Sequence, residues 1–201
     1  MGVFYIGIGG VARSGKDSLA KSLLEIIKSK NPNLITKIIP LSGPLKADCA
    51  DFIKKKLGLN VFSQDSVEKS LFREMLVWYG RVKRGLSAGT HWTCLLDSAI
   101  ERDPVDICIV PDIRYQEYEK DEIFWLKSKD PNCFIHIIRQ LSNGETQPPA
   151  NADEANNDSK IRKFADIKLT IDSSSYFTKL SDIAENIYDQ HLKTKIHNHV
   201  K

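Results

Sequence analysis

Apolar runs of strand length alternate along the chain with stretches in which apolar residues recur every three or four positions. Three of these runs are almost continuously apolar, as is typical of strands buried on both faces of a parallel sheet: residues 3–8, 106–110 and 133–138. Weaker strand candidates lie at 34–41 and 167–171. Helical spacing is found at 17–29, 44–57, 67–84, 92–101, 117–127 and 176–192. This alternation predicts an α/β fold with a three-layer, doubly wound, mainly parallel sheet.

Two stretches depart from the alternation. Residues 140–158 are polar, rich in asparagine and contain two prolines, which is typical of a disordered loop or of a mobile lid over a site. Residues 193–201 are basic and rich in histidine, and we interpret them as a frayed tail. Both stretches fit within one domain that covers residues 1–201.

Composition excludes several classes of protein. The chain has 201 residues, of which 41% are hydrophobic and 27% are charged, as in ordinary globular proteins. Its 29 basic and 26 acidic side chains give a net charge of +3, too balanced for a protein that coats nucleic acid. No apolar run approaches the ~20 residues that span a bilayer, and the first residues do not resemble a signal peptide. We therefore expect a cytoplasmic protein whose partners include neither a membrane nor nucleic acid.

The four cysteines have no metal-binding spacing. They stand at positions 49, 94, 108 and 133, without a CxxC pair, and two of them fall inside predicted strands. Reduced thiols in the core are a better interpretation than a zinc site or disulfides.

The most specific motif covers residues 10–18, GVARSGKDS, directly after the first predicted strand and at the start of the first predicted helix. This is the GxxxxGK pattern of a phosphate-binding loop (Walker A). Glycine lets the backbone approach a phosphate, while N–H groups and the helix N-terminus hold the anion and Lys16 reaches its outer oxygens. Asp17 occupies the usual Ser/Thr position and the hydroxyl comes one residue later, at Ser18, so we expect Ser18 to contact phosphate or metal. Whether Asp17 also contacts Mg²⁺ is left open.

A second group of charges follows the strand at 106–110, where Asp112 and Arg114 stand. The carboxyl end of a buried strand is where open α/β sheets bind ligands, and in phosphate-loop enzymes a carboxylate there supports Mg²⁺. The residue after Asp112 is isoleucine rather than the glutamate that would orient water. Arg114 is suited to stabilising a transferring phosphoryl group. The alternative is that Asp112 caps the next turn and pairs with Arg114 at the surface.

Further cations recur at predicted loop edges and strand ends. Lys46 closes the LSGPLK loop at 41–46, Arg73 lies early in the third helix, and Arg139 follows the strand at 133–138. Trp92 follows a glycine turn and has the flat ring needed to stack on a base. A single residue of this kind is more often structural than functional, but their recurrence at such positions favours a site that binds phosphates or a base.

Together these segments resemble the deoxynucleoside monophosphate kinases of tailed phages, a branch of the nucleoside monophosphate kinase fold. The resemblance rests on GVARSGKDS, LSGPLK, the block from Arg73 to Trp92, IVPDIRYQEYE and HIIR in this order, and it covers roughly residues 3–185. It implies transfer of a phosphoryl group from ATP to the 5′-phosphate of a deoxynucleotide, with Mg²⁺.

The resemblance also implies roles for individual residues. It assigns the ATP phosphates to Arg13, Gly15, Lys16, Asp17 and Ser18, and the acceptor nucleotide to Lys46, Arg73, Gly80, Trp92, Asp112 and Arg114. From the motif and the strand ends we add Gly10, Ser14 and Arg139 to the expected ATP site, with Ser18 and Asp17 nearest the metal, and Arg84 and Glu119 to the expected acceptor site. We expect Lys16, Arg13, Arg114 and Asp112 to act in catalysis, by neutralising and aligning two phosphate groups that repel each other.

The chain departs from that family at three places. Glu154 matches a glutamate of the family's lid, but the nearby histidine is replaced by Asn151. The glutamate after the D-x-R motif is either Glu117 or Glu119, because the spacing is shifted by one. The chain is also shorter between Lys56 and Arg73, a region that helps to choose the base in that family, so the sequence leaves the base preference open. It also does not distinguish a monomer from a homodimer.

Two other functions compete with this one. One is a phosphate-loop kinase acting on a hydroxyl group of a modified DNA base or a small metabolite, with Asp112 as the base. The other is a nucleotide-dependent ATPase or switch, which the missing glutamate after Asp112 and the missing NKxD motif disfavour.

Overall fold

A computed structural model describes residues 2–172 and 176–200. Five strands form one sheet: β1 (Phe4–Gly9), β2 (Thr36–Ile38), β3 (Ile107–Ile113), β4 (Asn132–Gln140) and β5 (Ile167–Asp172). Their order is β2-β3-β1-β4-β5 and every pairing is parallel. The predicted α/β fold with a doubly wound parallel sheet is therefore confirmed. Strands β1 and β3 are completely buried, as their continuous apolar runs predict.

Eight α-helices connect and cover these strands in the described part of the chain. They are α1 (Lys16–Lys30), α2 (Ser42–Phe52), α3 (Ser66–Leu86), α4 (His91–Arg102), α5 (Glu122–Ser128), α6 (Ala152–Ile161), α7 (Tyr176–Ile187) and α8 (Lys193–Val200). A π-helical turn, Ile53–Leu57, continues α2, and another, Tyr188–Leu192, joins α7 to α8. No helix of residues 2–172 and 176–200 is both long and apolar enough to cross a membrane.

Two apolar cores lie on opposite faces of the sheet. On one face α1 and the C-terminal helices pack through side chains such as Leu23 and Ile187; on the other, α4 and α5 pack through Leu96 and Ile123. A third, smaller cluster lies between α2 and α3 and contains Phe72. The strand order reverses at β1, which lies between β3 and β4, so a crevice opens at its carboxyl end.

Several boundaries differ from the sequence predictions. Strand β2 spans only Thr36–Ile38, and α5 begins at Glu122 instead of residue 117. The end of the polar segment 140–158 is helical, because Asn151 caps α6 by accepting a hydrogen bond from the Glu154 amide at 2.9 Å. Residues 193–200, expected to be frayed, continue as α8, since Ile196 is buried in the core.

The cysteine prediction holds for three of the four thiols. Cys49, Cys108 and Cys133 are buried, Cys94 is exposed, and all four are free.

Candidate active site

The loop between β1 and α1 is shaped to hold an anion. Gly10, Arg13 and Gly15 have φ values of 133°, 65° and 102°, all in the left-handed region. A Cβ on Gly10 would lie 2.6 Å from the Ile137 carbonyl oxygen, so only glycine fits between the loop and β4. Alternating left- and right-handed residues turn successive N–H groups toward one point, where the N-terminus of α1 also ends.

Lys16 is a buried cation at the base of this loop. Its Nζ donates to the carbonyl oxygens of Gly10 and Val11, both at 2.6 Å, and its side chain is only 6% exposed. Burial and then the nearby Arg114 lower the pKa of Lys16 to about 8. Its hydrogen-bond partners are neutral carbonyls, and the carboxylates of Glu154, Asp17 and Asp112 offset the effect of burial only in part.

Asp112 ties the end of β3 to the start of α2. Its two carboxylate oxygens accept from the backbone N–H groups of Leu41 and Ser42, each at 2.8 Å. This contact holds the LSGPLK segment against the sheet edge and keeps the carboxylate on the wall of the site. Asp112 therefore has a structural role, which is to attach the start of α2 to the end of β3, besides its place on the cavity wall.

Arg114 and Glu154 connect the phosphate loop with α6. Nη1 of Arg114 donates to one carboxylate oxygen of Glu154 at 2.7 Å, and the other oxygen accepts from the N–H groups of Ala12 and Ala150 at 3.0 and 2.9 Å. The polar segment 140–158 therefore contacts the phosphate loop directly. Burial alone would lower the pKa of Arg114, but Glu154 and Asp112 raise it, so Arg114 stays a cation.

A single cavity of about 670 Å³ collects most of the predicted residues. That volume is within the ordinary range for a ligand site. The predicted residues that line it are Arg13, Gly15, Lys16, Asp17, Ser18, Lys46, Arg73, Gly80, Arg84, Trp92, Asp112, Arg114 and Arg139. Gly10 and Ser14 lie in the adjoining loop, and Nη1 of Arg139 donates to the Arg13 carbonyl oxygen at 2.9 Å.

Two predicted acceptor residues have structural contacts that the sequence did not indicate. Arg84 is buried, pairs with Asp121 and Glu117 at 2.8 Å each, and has its guanidinium carbon 3.5 Å from the centre of the Tyr115 ring. Trp92 is buried too, and its indole N–H donates to the Gly80 carbonyl oxygen at 3.3 Å. Both residues shape the wall of the cavity, and a stacking role for Trp92 stays a prediction.

Neither of the two glutamates after the D-x-R motif lines the cavity, although Glu119 was an expected acceptor residue, and both are exposed. They differ in their contacts. Glu117 pairs with Arg84 and also accepts from the Asn157 amide at 2.9 Å, so it links α3 to α6 beside the cavity.

Glu122 is a site residue that the sequence analysis missed. It lines the cavity, is only 4% exposed, and accepts from the Arg114 backbone N–H at 2.6 Å. Burial and then Asp121 raise the pKa of Glu122 to about 8, so this carboxyl is mainly protonated at neutral pH. Its position at the first turn of α5, after the capping residue Asp121, is the one signal in the sequence.

The end of the cavity beside α3, where the predicted acceptor residue Arg73 lies, is apolar as well as cationic. Lys69, also missed, lies one turn before Arg73 on the face of α3 that lines the cavity. Further apolar side chains complete the wall there: Leu45, Val61, Phe72, Leu76 and Val77. A ligand that fits this end therefore combines an anion with a flat or apolar group.

The residues at the phosphate end are compatible with Mg²⁺. Ser18 and Asp112 both line the cavity, and Asp17 lies exposed at its rim. In residues 2–172 and 176–200 no group of three His, Cys, Asp or Glu side chains could hold a metal by itself. Mg²⁺ suits such a site, since it takes one or two protein oxygens and completes its shell with substrate phosphates and water.

Comparison with known proteins identifies one family. A model of the phosphomevalonate kinase family matches residues 8–132, more than half of the chain, including the phosphate loop, Asp112 and Arg114. No curated protein matches the chain. A solved structure described as "Crystal structure of APE1195" aligns over 97% of both chains, with 12% identity and a TM-score of 0.39, which is too low for any argument about fold or function.

Proposed function

The chain belongs to the phosphomevalonate kinase family, and on that premise we propose that it is an ATP-dependent kinase whose acceptor is itself a phosphate monoester, a deoxynucleoside monophosphate. The family establishes a kinase. The acceptor is our proposal, and it extends the resemblance to the phage deoxynucleoside monophosphate kinases.

One observation carries the proposal. A single cavity is lined both by Lys16 of the phosphate loop and by a second set of cations, Lys46, Arg73 and Arg114. Two anionic groups can therefore be bound in the same cavity, as transfer between two phosphates requires. Scattered surface lysines and arginines would not share one cavity wall with the loop.

The proposed reaction needs charge neutralisation more than proton transfer. An oxygen of the acceptor phosphate forms a bond to the γ-phosphorus of ATP, and the bond from that phosphorus to the bridging oxygen breaks, giving a deoxynucleoside diphosphate and ADP. The attacking oxygen is already an anion, so no general base is required. Lys16 and Arg114 would stabilise the charge on the transferring group, and Ser18 and Asp112 would hold Mg²⁺, which would supply further positive charge to the phosphates.

The apolar wall favours a nucleotide over a small acid as the acceptor. Phe72, Leu76 and Val77 lie beside the cations at the acceptor end. A base would bury its apolar ring faces against such a wall, whereas the carboxylate and hydroxyl groups of phosphomevalonate would gain nothing from it.

Phosphomevalonate is nevertheless a second candidate, because the family match favours it. Its phosphate monoester would meet the same cations, and the product would again be a diphosphate. The two candidates therefore share the donor half of the site and differ only at the acceptor end.

The test is a coupled assay of ADP release with ATP, Mg²⁺ and one acceptor at a time: the four common deoxynucleotides, the ribonucleotides, phosphomevalonate, and a hydroxymethylated oligonucleotide. Phosphorus NMR then identifies the product, and a new diphosphate linkage on a deoxynucleotide is the expected result. Turnover with phosphomevalonate alone would support the second candidate. A new phosphate ester on a hydroxyl would identify a hydroxyl kinase, and ADP release without any acceptor an ATPase.

A matched pair of variants assigns the activity to this site. Lys16→Ala should lower kcat at saturating ATP by a hundredfold or more, about 3 kcal/mol of transition-state stabilisation. Lys28→Ala removes an exposed lysine from the other end of the same helix and should leave kcat unchanged. Equal rates for Lys16→Ala and the wild type would show that Lys16 does not act in catalysis.

A further inference from the structure

Helix α3 has two faces with different surroundings. One face lines the cavity through Lys69, Arg73 and Gly80. The opposite face carries large apolar side chains that are 37% to 83% exposed: Val67, Leu71, Trp78, Val82 and Leu86. We call these five residues the outer stripe. They make up most of the large exposed apolar side chains in the described part of the chain.

The outer stripe is one continuous surface. At about 100° per residue its members fall on one side of the helix, from Val67 to Leu86, over a length of about 28 Å. Scattered exposed apolar residues are normal in a monomer, but a contiguous row of this length, with a tryptophan near its middle, is typical of a surface that another molecule covers.

The order of residues in the stripe is nearly palindromic about a point between Leu76 and Val77. Val67 and Leu86 stand at equal distances from this point, as do Leu71 and Val82. Trp78 and Met75 also stand at equal distances from this point, and Met75 is partly buried beside the stripe. A row with this symmetry matches itself when a second copy is turned end for end, as a two-fold axis requires.

From this symmetry we propose that α3 is a homodimer interface, in which the outer stripes of two copies pair antiparallel. Val67 of one copy packs against Leu86 of the other, Leu71 against Val82, and Met75 against Trp78. The proposal is independent of the acceptor that the kinase uses.

Charges beside the stripe fit the same arrangement. Glu74 and Arg81 lie on the same flank of α3, and in antiparallel pairing each faces this flank of the other copy. Arg81 donates through Nε and Nη2 to Asp153, and its Nη1 makes no hydrogen bond in the described part of the chain. Glu74 is exposed and, among the described residues, forms no ion pair. Glu74 of each copy can therefore pair with Arg81 of the other.

The size of the surface sets the strength of the dimer. A contact between single helices is at the small end of stable interfaces, about 1,200 Å² of total buried area. We expect dissociation in the micromolar range. Because the inner face of the same helix lines the cavity, dimer formation would also hold the acceptor wall in place.

Register-specific cross-linking tests the proposal directly. In a Cys94→Ser background, the double variant Leu71→Cys/Val82→Cys should form a covalent dimer under mild oxidation. Leu71→Cys alone should not, since the two copies of position 71 would lie about 16 Å apart along the helix axes. Equal cross-linking of both variants, or of neither, would overturn the antiparallel register.

Sedimentation velocity over a range of protein concentrations tests the surface itself. The wild type should dimerise, and Leu71→Lys and Trp78→Lys should stay monomeric at concentrations where it does. Ile35→Lys places the same charge at an exposed apolar residue outside α3 and should dimerise like the wild type. A wild type that is monomeric up to several hundred micromolar, or a dimer that survives Trp78→Lys, would refute the proposal.

Discussion

Lys16 is a lysine whose nearest partners are carbonyl oxygens instead of carboxylates. The Gly10 and Val11 carbonyls lie 2.6 Å from its Nζ, and burial lowers its pKa to about 8. A bound polyphosphate would bring more negative charge beside Lys16 and raise that pKa again. A buried lysine with a lowered pKa therefore gains from binding an anion, which suits a role in ligand binding.

This arrangement predicts a pH dependence that differs between the free and the ATP-bound protein. As the pH rises through about 8, free Lys16 loses its proton, so kcat/KM for ATP should fall above that pH. With saturating ATP the phosphates hold the proton, and kcat should fall only at a higher pH. Initial rates measured across this range, at low and at saturating ATP, check the difference. Identical upper limbs in both profiles would contradict it.

Glu122 predicts a pH dependence of stability. Its pKa in the folded protein is raised to about 8, so between its ordinary pKa and that value the folded state binds more protons than the unfolded state. The free energy of unfolding attributable to Glu122 is therefore greatest at acid pH and decreases as the pH rises through about 8. Glu122→Gln removes this titration and should flatten the pH dependence.

Urea unfolding at several pH values, from about 5 to about 9, measures this effect. Glu119→Gln is the matched control, because Glu119 is exposed and outside the cavity, and its pH profile should follow the wild type. If Glu122→Gln keeps the full pH dependence of the wild type, the neutral form of Glu122 is not the one that the fold stabilises.

At the scale of elements, α6 brings the polar segment to the site. Asn151 caps its first turn, which sets Glu154 where its carboxylate can accept from the Ala12 N–H and from Arg114. Farther along α6, the Asp158 carboxylate is hydrogen-bonded to Nε2 of His136 on β4 at 2.9 Å and accepts from Nη2 of Arg162 at 2.6 Å. The helix is therefore attached to the sheet at one point and to the phosphate loop at another.

The cap can be tested separately from the contacts that α6 makes. Asn151→Ala removes the capping oxygen and should lower the free energy of unfolding by about 1 kcal/mol. It should also raise KM for ATP, since Glu154 would no longer be held beside the phosphate loop. Asn156→Ala makes the same change at an exposed position in the same helix and should cost little or nothing. Chemical unfolding and initial rates of both variants measure the difference; equal losses would show that the cap is not what places Glu154.

For the whole molecule, the important feature is that the cavity is built from parts that are distant in the chain. The loop after β1, the helices α2 and α3, the end of β3 and the start of α6 all line it. A ligand in this cavity adds contacts that join all of these elements at once. Binding should therefore stabilise the fold as a whole.

Thermal unfolding with and without ATP and Mg²⁺ checks this expectation. At a ligand concentration 100 times Kd, binding adds about 2.7 kcal/mol to the free energy of unfolding. For a chain of this length that corresponds to a rise in Tm of roughly 5–10 °C. Lys16→Ala should lose most of the rise, whereas Lys28→Ala should keep it. An unchanged Tm in the wild type would mean that the cavity does not bind ATP.

Much of the fold and part of the candidate site could be predicted, because the sequence signals for these parts are local. Continuous apolar runs predicted β1, β3 and β4, and the spacing of glycines and Lys16 after the first run predicted the phosphate loop. The start of α6 also had a local signal, because Asn151 and Glu154 stand three residues apart as a helix cap requires, but the polar composition of residues 140–158 predicted a loop or a lid instead. Such patterns involve residues within one or two turns, whose interactions depend little on the rest of the chain.

The sequence by itself thus determined the α/β class, the phosphate loop and the location of the carboxylate and arginine after β3. Only the tertiary structure decided which charges are free to meet a ligand. It pairs Arg84 with Asp121, turns Glu119 to solvent, buries Glu122 and leaves the outer stripe of α3 exposed. The reason is that burial and ion pairing depend on which distant segments come together. The sequence around residues 84 and 121, or around residues 114 and 154, does not indicate that these pairs will be in contact.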